Sequence, residues 1–116
     1  MLAELLQPRF SVVAQARNGD EALRAVERLP PRLAIFDVSM PKLNGFEVAR
    51  KLIESQSSTK IVFFTLLSGK EFIDEARRCG NGYVAKTRAY SNLLPALEAA
   101  LRGEFLTSDF AELRRD

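Results

Sequence analysis

The stretch FDVSMPKLNGFEV, residues 36–48, shows most clearly how this chain is built, because it leads from a buried strand into a helix through a carboxylate. Asp37 follows the apolar run RLAIF, and a proline turn and a helical pattern come directly after it. A charge at the end of a buried strand is costly to desolvate unless another group pairs with it or uses it. The position of Asp37 therefore indicates a chemical role, with capping of the following turn as the plainer alternative.

Three more apolar runs have the composition of buried strands. They are short and rich in branched and aromatic side chains, which is typical of strands covered on both faces. The four predicted strands are Ser11–Ala16, Arg32–Asp37, Lys60–Thr65 and Gly82–Lys86.

Amphipathic helical patterns alternate with these strands, in residues 19–29, 44–53, 68–80 and 91–103. Ser68 and Glu71 have capping-box spacing, and Gly80 is expected to end that helix in a left-handed conformation. Pro95 is expected in the first turn of the last helix, with Gly103 as its stop. The alternation predicts an α/β domain with a parallel sheet and helices on both faces.

Composition narrows the possible functions. The 116 residues, 47% of them hydrophobic, suffice for one compact core. The net charge of +2 comes from 17 basic and 15 acidic residues that are mixed along the chain, so direct nucleic-acid binding is not expected. The chain has no histidine and one cysteine, which excludes an intrachain disulfide and removes the commonest zinc ligand and general base.

Neither a signal peptide nor a membrane span is predicted. The opening MLAELLQPRF lacks a basic region followed by a long apolar stretch, and nowhere do about 18 apolar residues run together. The expected compartment is the cytoplasm. Cys79 lies on an apolar stripe and is expected to be a buried structural thiol, with a redox site as the less favoured alternative.

Polar side chains stand at the ends of three predicted strands. Asp37, Thr65 and Lys86 end consecutive strands, and ligands of open α/β sheets gather at the carboxyl ends of the strands. A carboxylate, a hydroxyl and an ammonium are therefore expected at one rim. Taken singly, Thr65 reads as ordinary strand packing and Lys86 as a solvated strand end.

Taken together, these residues resemble the receiver domains of bacterial two-component response regulators, from Ser11 to Gly103. Asp37 with Met40-Pro41 and Asn44-Gly45 is similar to the phosphoacceptor signature, and Thr65, Tyr83 and Lys86 stand where that family has its switch hydroxyl, switch aromatic and lysine. The stretches SVVAQARNGDEAL and GYVAKTRAYSNLLPALEAALRG resemble receivers that precede a helix-turn-helix domain of the LuxR/NarL type. The resemblance implies a flavodoxin-like fold.

The resemblance also implies a function. Asp37 would accept a phosphoryl group from a sensor histidine kinase, and Lys86 and Thr65 would each contact a phosphoryl oxygen. Thr65 and Tyr83 would then rearrange and change the partner-binding surface, so the domain would signal and would not be an enzyme. Mg²⁺ is the implied cofactor, with Asp37 and the backbone carbonyl of Ser39 as weak ligands.

The chain departs from the family at its amino end. Receivers begin with a strand that ends in two adjacent acidic residues, whereas this sequence begins inside the following helix, and Glu4 is the only carboxylate before Ser11. Asp20 and Glu21 follow the second family strand and are poor substitutes. We therefore expect residues 1–104 to form an N-terminally truncated receiver-like domain, and residues 105–116 to form a tail or linker.

The missing strand is central in the family's strand order, so its absence leaves a gap. The flanking strands are expected to close together, or a second copy is expected to fill the gap as a homo-oligomer; alternatively, Met1 is an internal residue of a longer gene. Two other functions are weighed. One is a degenerate receiver that binds partners without phosphorylation, and the weaker one is a flavin-binding domain.

Overall fold

Four short strands form one parallel sheet in the computed structural model, which describes residues 18–107 apart from the side chains of residues 89 and 90. In chain order and in space the strands run β1 (Leu33–Phe36), β2 (Lys60–Thr65), β3 (Gly82–Ala85) and β4 (Leu106–Thr107). Since every neighbouring pair is parallel, the carboxyl ends of β1, β2 and β3 lie at one rim.

Four α-helices connect these strands. They are α1 (Gly19–Arg28), α2 (Gly45–Glu54), α3 (Lys70–Cys79) and α4 (Ala89–Leu101), and one 3-10 turn, Lys86–Arg88, precedes α4. Asn18 caps α1 by accepting a hydrogen bond from the Glu21 amide at 2.9 Å. Asn18-Gly19 thus begins this helix.

The helices cover both faces of the sheet, as predicted. Residues of β2 alternate between two hydrophobic clusters, with Ile61 and Phe63 in one and Val62 in the other. Helices α1, α2 and α3 contribute to the first cluster, and α4 contributes to the second. The predicted α/β fold with a parallel sheet is confirmed.

Three local predictions about helix ends are wrong. Gly69, not Ser68, is the N-cap of α3 and makes no side-chain cap hydrogen bond. Gly80 is extended, with φ −151°, and not left-handed; the Phe63 ring occupies the space where a side chain at this position would lie. Pro95 lies inside α4, in its second turn, because the 3-10 turn lets the helix start at Ala89, earlier than its pattern suggested.

The predicted stop at Gly103 is confirmed. Its φ of +83° is left-handed, a conformation that glycine adopts without steric cost. The Gly103 amide donates to Ala100 O at 3.0 Å and the Glu104 amide to Ala99 O at 2.9 Å, which is the Schellman pattern.

Residues just after this stop belong to the sheet. Leu106 pairs with Gly82 and Thr107 with Tyr83, so the predicted tail or linker of residues 105–116 starts with a strand. No strand was predicted here, because two residues are too few to show a period. The domain boundary at residue 104 stays a prediction, but the described residues beyond it pack on the domain.

The predicted strand Ser11–Ala16 and the predicted gap beside it lie outside the described residues. None of the helices within residues 18–107 is long and apolar enough to cross a bilayer.

Candidate functional site

Asp37 stands at the carboxyl rim because β1 ends one residue before it. Its Oδ1 accepts a hydrogen bond from the Ser39 amide at 2.9 Å, so the turn itself orients the carboxylate. Gly45, the first residue of α2, lies against this turn: its amide donates to Val38 O at 3.0 Å, and a Cβ there would be 2.5 Å from Asp37 O. A glycine is needed at this close approach.

A capping box starts α2 directly after the turn. Asn44 Oδ1 accepts from the Glu47 amide at 2.9 Å, and Glu47 Oε1 accepts from the Asn44 amide at 2.8 Å. The N-x-x-E spacing of NGFE is the sequence signal for this cap, which we had not read from it. The cap and Gly45 together hold both sides of the Asp37 turn.

Lys86 meets Asp37 across the rim, although 49 residues separate them. Its Nζ donates to Asp37 Oδ2 at 2.7 Å, and the side chains are 37% (Lys86) and 28% (Asp37) exposed. The same Nζ lies 5.8 Å from the centre of the Phe64 ring. Because partly exposed ion pairs contribute at most about 1 kcal/mol to folding, this pair can be rearranged by a ligand at small cost.

Thr65 ends β2 and is fully buried. Its Oγ1 accepts a hydrogen bond from the Leu67 amide at 3.3 Å. The hydroxyl is therefore engaged with the loop after β2, and no contact joins it to Asp37.

Tyr83 is also fully buried, and its hydroxyl donates to Leu67 O at 2.7 Å. The ring lies inside the fold, where the backbone of Leu67 bonds to both predicted switch residues: its amide donates to Thr65 and its carbonyl accepts from Tyr83. Leu67 thus joins the two predicted switch residues, and no side-chain pattern signals this because both contacts use its backbone.

The predicted magnesium ligands do not form a metal site by themselves. Mg²⁺ requires close to six oxygen ligands in octahedral geometry. Ser39 presents its amide to Asp37, whose other carboxylate oxygen is held by Lys86. Within residues 18–107, no three Asp, Glu, His or Cys side chains converge to hold a cation.

Cys79 is buried at the end of α3, away from this rim. Burial, followed by the nearby Glu75 carboxylate as a smaller cause, raises the pKa of its thiol to about 11. The thiol donates a hydrogen bond to Glu75 O at 3.3 Å. A thiol that stays protonated at neutral pH is a poor nucleophile, as the structural interpretation requires.

A surface depression of about 450 Å³ lies beside Cys79. Residues at the amino ends of β2 and β3 line it, among them Lys60, Ile61 and Asn81. Because the strands are parallel, this depression and Asp37 are at opposite ends of the sheet. It plays no part in the chemistry at the rim.

Asn81 does more than form a turn. Its Oδ1 accepts from the Ile61 amide at 2.9 Å, and its own amide donates to Ile61 O at 2.6 Å. The tendency of asparagine to bond to backbone groups was the available signal.

Comparisons with known proteins agree with this geometry. The family model described as the response regulator receiver domain matches residues 1–98. The nitrate/nitrite response regulator protein NarL of Escherichia coli K12 is 35% identical over 105 residues, which are 90% of this chain and 49% of NarL. The chain spans about half the length of the curated relatives it matches.

Solved structures show the same relationship. A two-component response regulator of the LuxR family from Aurantimonas sp. SI85-9A1 superposes with a TM-score of 0.86 at 29% identity, covering 98% of this chain and 87% of that one. The response regulator TrrA of Thermotoga maritima, solved in complex with Mg²⁺-BeF, superposes with a TM-score of 0.74 at 27% identity, covering 85% of each chain. The chain belongs to the response regulator receiver domain family, with relatives of the LuxR/NarL type.

Proposed function

We propose that Asp37 accepts a phosphoryl group from a sensor histidine kinase and that Thr65, Leu67 and Tyr83 transmit its presence to a partner-binding surface. The observation that carries the proposal is the contact of Lys86 Nζ with Asp37 Oδ2 at a partly exposed rim. Relatives whose names describe response regulators support the kinase as the donor. A cytoplasmic domain acting upstream of transcription fits the same relatives.

The transfer requires little covalent help from the protein. A carboxylate oxygen of Asp37 would form a bond to phosphorus while the bond from phosphorus to the donor breaks, leaving an acyl phosphate on the chain. The electron pair of the broken bond leaves with the donor. Lys86 would then move from the carboxylate to a phosphoryl oxygen, where its charge offsets the added negative charge.

Thr65 would supply the second contact. To reach a phosphoryl oxygen its hydroxyl must leave the Leu67 amide, which frees one side of the Leu67 peptide while Tyr83 still holds the other. A shift of Leu67 would change the loop before α3. The family generally uses Mg²⁺, but the residues of this rim that the structure describes do not complete a magnesium site, so the proposal assigns roles only to the chain's own groups.

The test is labelling with acetyl phosphate, followed by intact mass measurement, with and without Mg²⁺. We expect one added phosphoryl group in the native chain and none in Asp37→Asn. The matched control is Asp74→Asn, because Asp74 is also a carboxylate paired with a lysine, Lys70, at 2.8 Å, but lies on α3. Labelling that persists in Asp37→Asn, or that is lost equally in Asp74→Asn, would contradict the assignment.

A second candidate is a degenerate receiver that works as a binding module. The observation in its favour is that, among the described residues, no three carboxylate, histidine or cysteine side chains converge to hold the Mg²⁺ that the family generally uses. The two candidates differ in one measurement. A partner that binds native and Asp37→Asn chains equally, before and after acetyl phosphate, identifies the module, whereas the phosphorylation switch requires tighter or weaker binding only in the native labelled chain.

A further inference from the structure

The segment Phe105–Thr107, called here the C-terminal strap, lies along the outer edge of β3. The Schellman turn at Gly103 reverses the chain after α4 and directs it back beside the sheet. Leu106 then pairs with Gly82, and Thr107 pairs with Tyr83. The strap therefore covers backbone groups of β3 that would otherwise form an open sheet edge.

Side-chain contacts hold the strap as well. Phe105 packs against the hydrophobic cluster that includes Tyr83, Ile73 and Ala76. The guanidinium of Arg77, on α3, lies 4.4 Å from the centre of the Phe105 ring, within the range of a cation–π interaction. Leu106 packs against the cluster on the opposite face of the sheet. The strap is thus attached to both hydrophobic clusters and to α3.

The strap is linked to the rim through Tyr83. Thr65 Oγ1 accepts from the Leu67 amide, Leu67 O accepts from the Tyr83 hydroxyl, and the Tyr83 backbone is the register partner of Thr107. Phe105 packs against the same hydrophobic cluster that contains the Tyr83 ring, and Arg77 lies over Phe105. The strap and the ring therefore share one cluster as well as one strand pairing.

We propose that the C-terminal strap holds Tyr83 in its buried conformation, so that undocking of the strap and outward rotation of Tyr83 occur together. This coupling is reciprocal, because two groups that favour one state of Tyr83 strengthen each other. If the proposed phosphorylation of Asp37 also favours the buried ring, it tightens the strap. That last step rests on the proposed function, whereas the coupling of strap and ring does not.

The first test follows Tyr83 directly. The chain has two tyrosines and no tryptophan, so 3-fluorotyrosine in a Tyr90→Phe background reports on Tyr83 alone by fluorine NMR. Arg77→Ala should raise the exposed population of the ring roughly two- to fivefold, the effect of losing an exposed cation–π contact. Phe105→Ala should raise it further, since the packing contact is lost too.

Arg78→Ala is the matched control. It removes the same charge from the same turn of α3, but the Arg78 side chain pairs with Glu75 and not with the strap. The Arg77 side chain is exposed, so the Arg77→Ala variant is expected to fold even if Phe105→Ala does not. A Tyr83 resonance that is the same in Arg77→Ala and Arg78→Ala would overturn the proposal.

The second test measures the coupling from the other side. Tyr83→Phe removes the hydroxyl that bonds to Leu67 O, and amide hydrogen exchange at Leu106 and Thr107 should then be faster, whereas exchange at Ala34 in β1 should be unchanged. Equal exchange in native and Tyr83→Phe chains would contradict the coupling. Both tests use protein that has not been treated with a phosphodonor, so their failure is separate from a failure of Asp37 phosphorylation, which concerns only the proposed phosphoacceptor.

Discussion

The two ends of the sheet both carry polar side chains but use them differently. At the amino ends, Thr59 Oγ1 donates to Pro31 O at 2.8 Å, and Asn81 is bonded to both backbone groups of Ile61. At the carboxyl ends, Asp37 and Lys86 meet through one ion pair between partly exposed side chains. The amino ends thus hold buried or half-buried polar groups inside the fold, whereas the carboxyl ends add a partly exposed ion pair beside the buried Thr65.

The physical difference is the cost of disturbing each set. A buried donor or acceptor left without a partner costs about 1–3 kcal/mol, whereas an exposed ion pair contributes at most about 1 kcal/mol. Polar groups at the amino ends therefore stabilise this conformation, and those at the carboxyl ends are available to a ligand. Substitutions at the carboxyl ends should therefore change the phosphorylation of Asp37 more than the free energy of unfolding, and substitutions at the amino ends should do the reverse.

The largest effect is expected for Lys86→Met. Loss of a charge-assisted contact of about 1.5–3 kcal/mol should reduce the phosphorylated fraction of Asp37 roughly 10- to 100-fold. The free energy of unfolding should change by less than about 1 kcal/mol, because the ion pair is partly exposed. Mass measurement after acetyl phosphate and urea unfolding give the two quantities, and a stability loss with unchanged labelling would make Lys86 a structural residue.

The opposite signature is expected for Asn81→Ala. The Ile61 amide loses its acceptor, which should lower the free energy of unfolding by about 1–3 kcal/mol without changing the labelling rate of the folded chain. Asn81→Asp keeps an oxygen at the same position and serves as the control. Labelling that falls in Asn81→Ala under conditions where the chain is folded would show that the two ends are coupled.

The thermal stability of the chain should also depend on pH through Cys79, which lies near the amino ends of the strands. The folded-state pKa of Cys79 is raised to about 11, above the ordinary thiol value of about 8.5. Protonated Cys79 therefore stabilises the fold fully below about pH 8.5, and this contribution is lost as pH rises towards 11. Melting temperatures of native and Cys79→Ala chains should converge over this range, since the variant lacks the titrating thiol; a constant difference would show that the thiol does not titrate there.

The smallest change in the free energy of unfolding is expected for a substitution in the turn after Asp37. Lys42 has a left-handed φ of 71°, and the Leu43 amide donates to Pro41 O across it at 2.9 Å. Lys42→Gly removes the steric cost of this conformation but adds freedom to the unfolded chain, so stability should rise by about 1 kcal/mol or less. Lys51→Gly, inside α2, should instead destabilise by about 1 kcal/mol. A loss of stability in Lys42→Gly would mean that its side chain contributes contacts to the turn.

Much of this arrangement was predictable from local patterns. The strands β1, β2 and β3 and all four helices lie where the alternation of apolar runs and amphipathic stretches placed them. The convergence of Asp37 and Lys86 followed from the rule that parallel strands end at the same rim. The cap at Ser68, the left-handed Gly80 and the first-turn position of Pro95 were predicted wrongly; for Pro95 the reason is that the helix starts at Ala89, directly after the 3-10 turn.

The sequence by itself determined the fold class and placed the carboxylate, hydroxyl and ammonium at consecutive strand ends. The reason is that hydrophobic periodicity and the order of strands and helices along the chain can be read locally. The bond of Asn81 to Ile61, the buried position of Tyr83 and the pairing of Thr107 with Tyr83 were set by tertiary packing. Each of these contacts joins groups at least 16 residues apart. Their partners are mainly backbone groups, which are alike at every position and so leave no trace in the pattern of side chains.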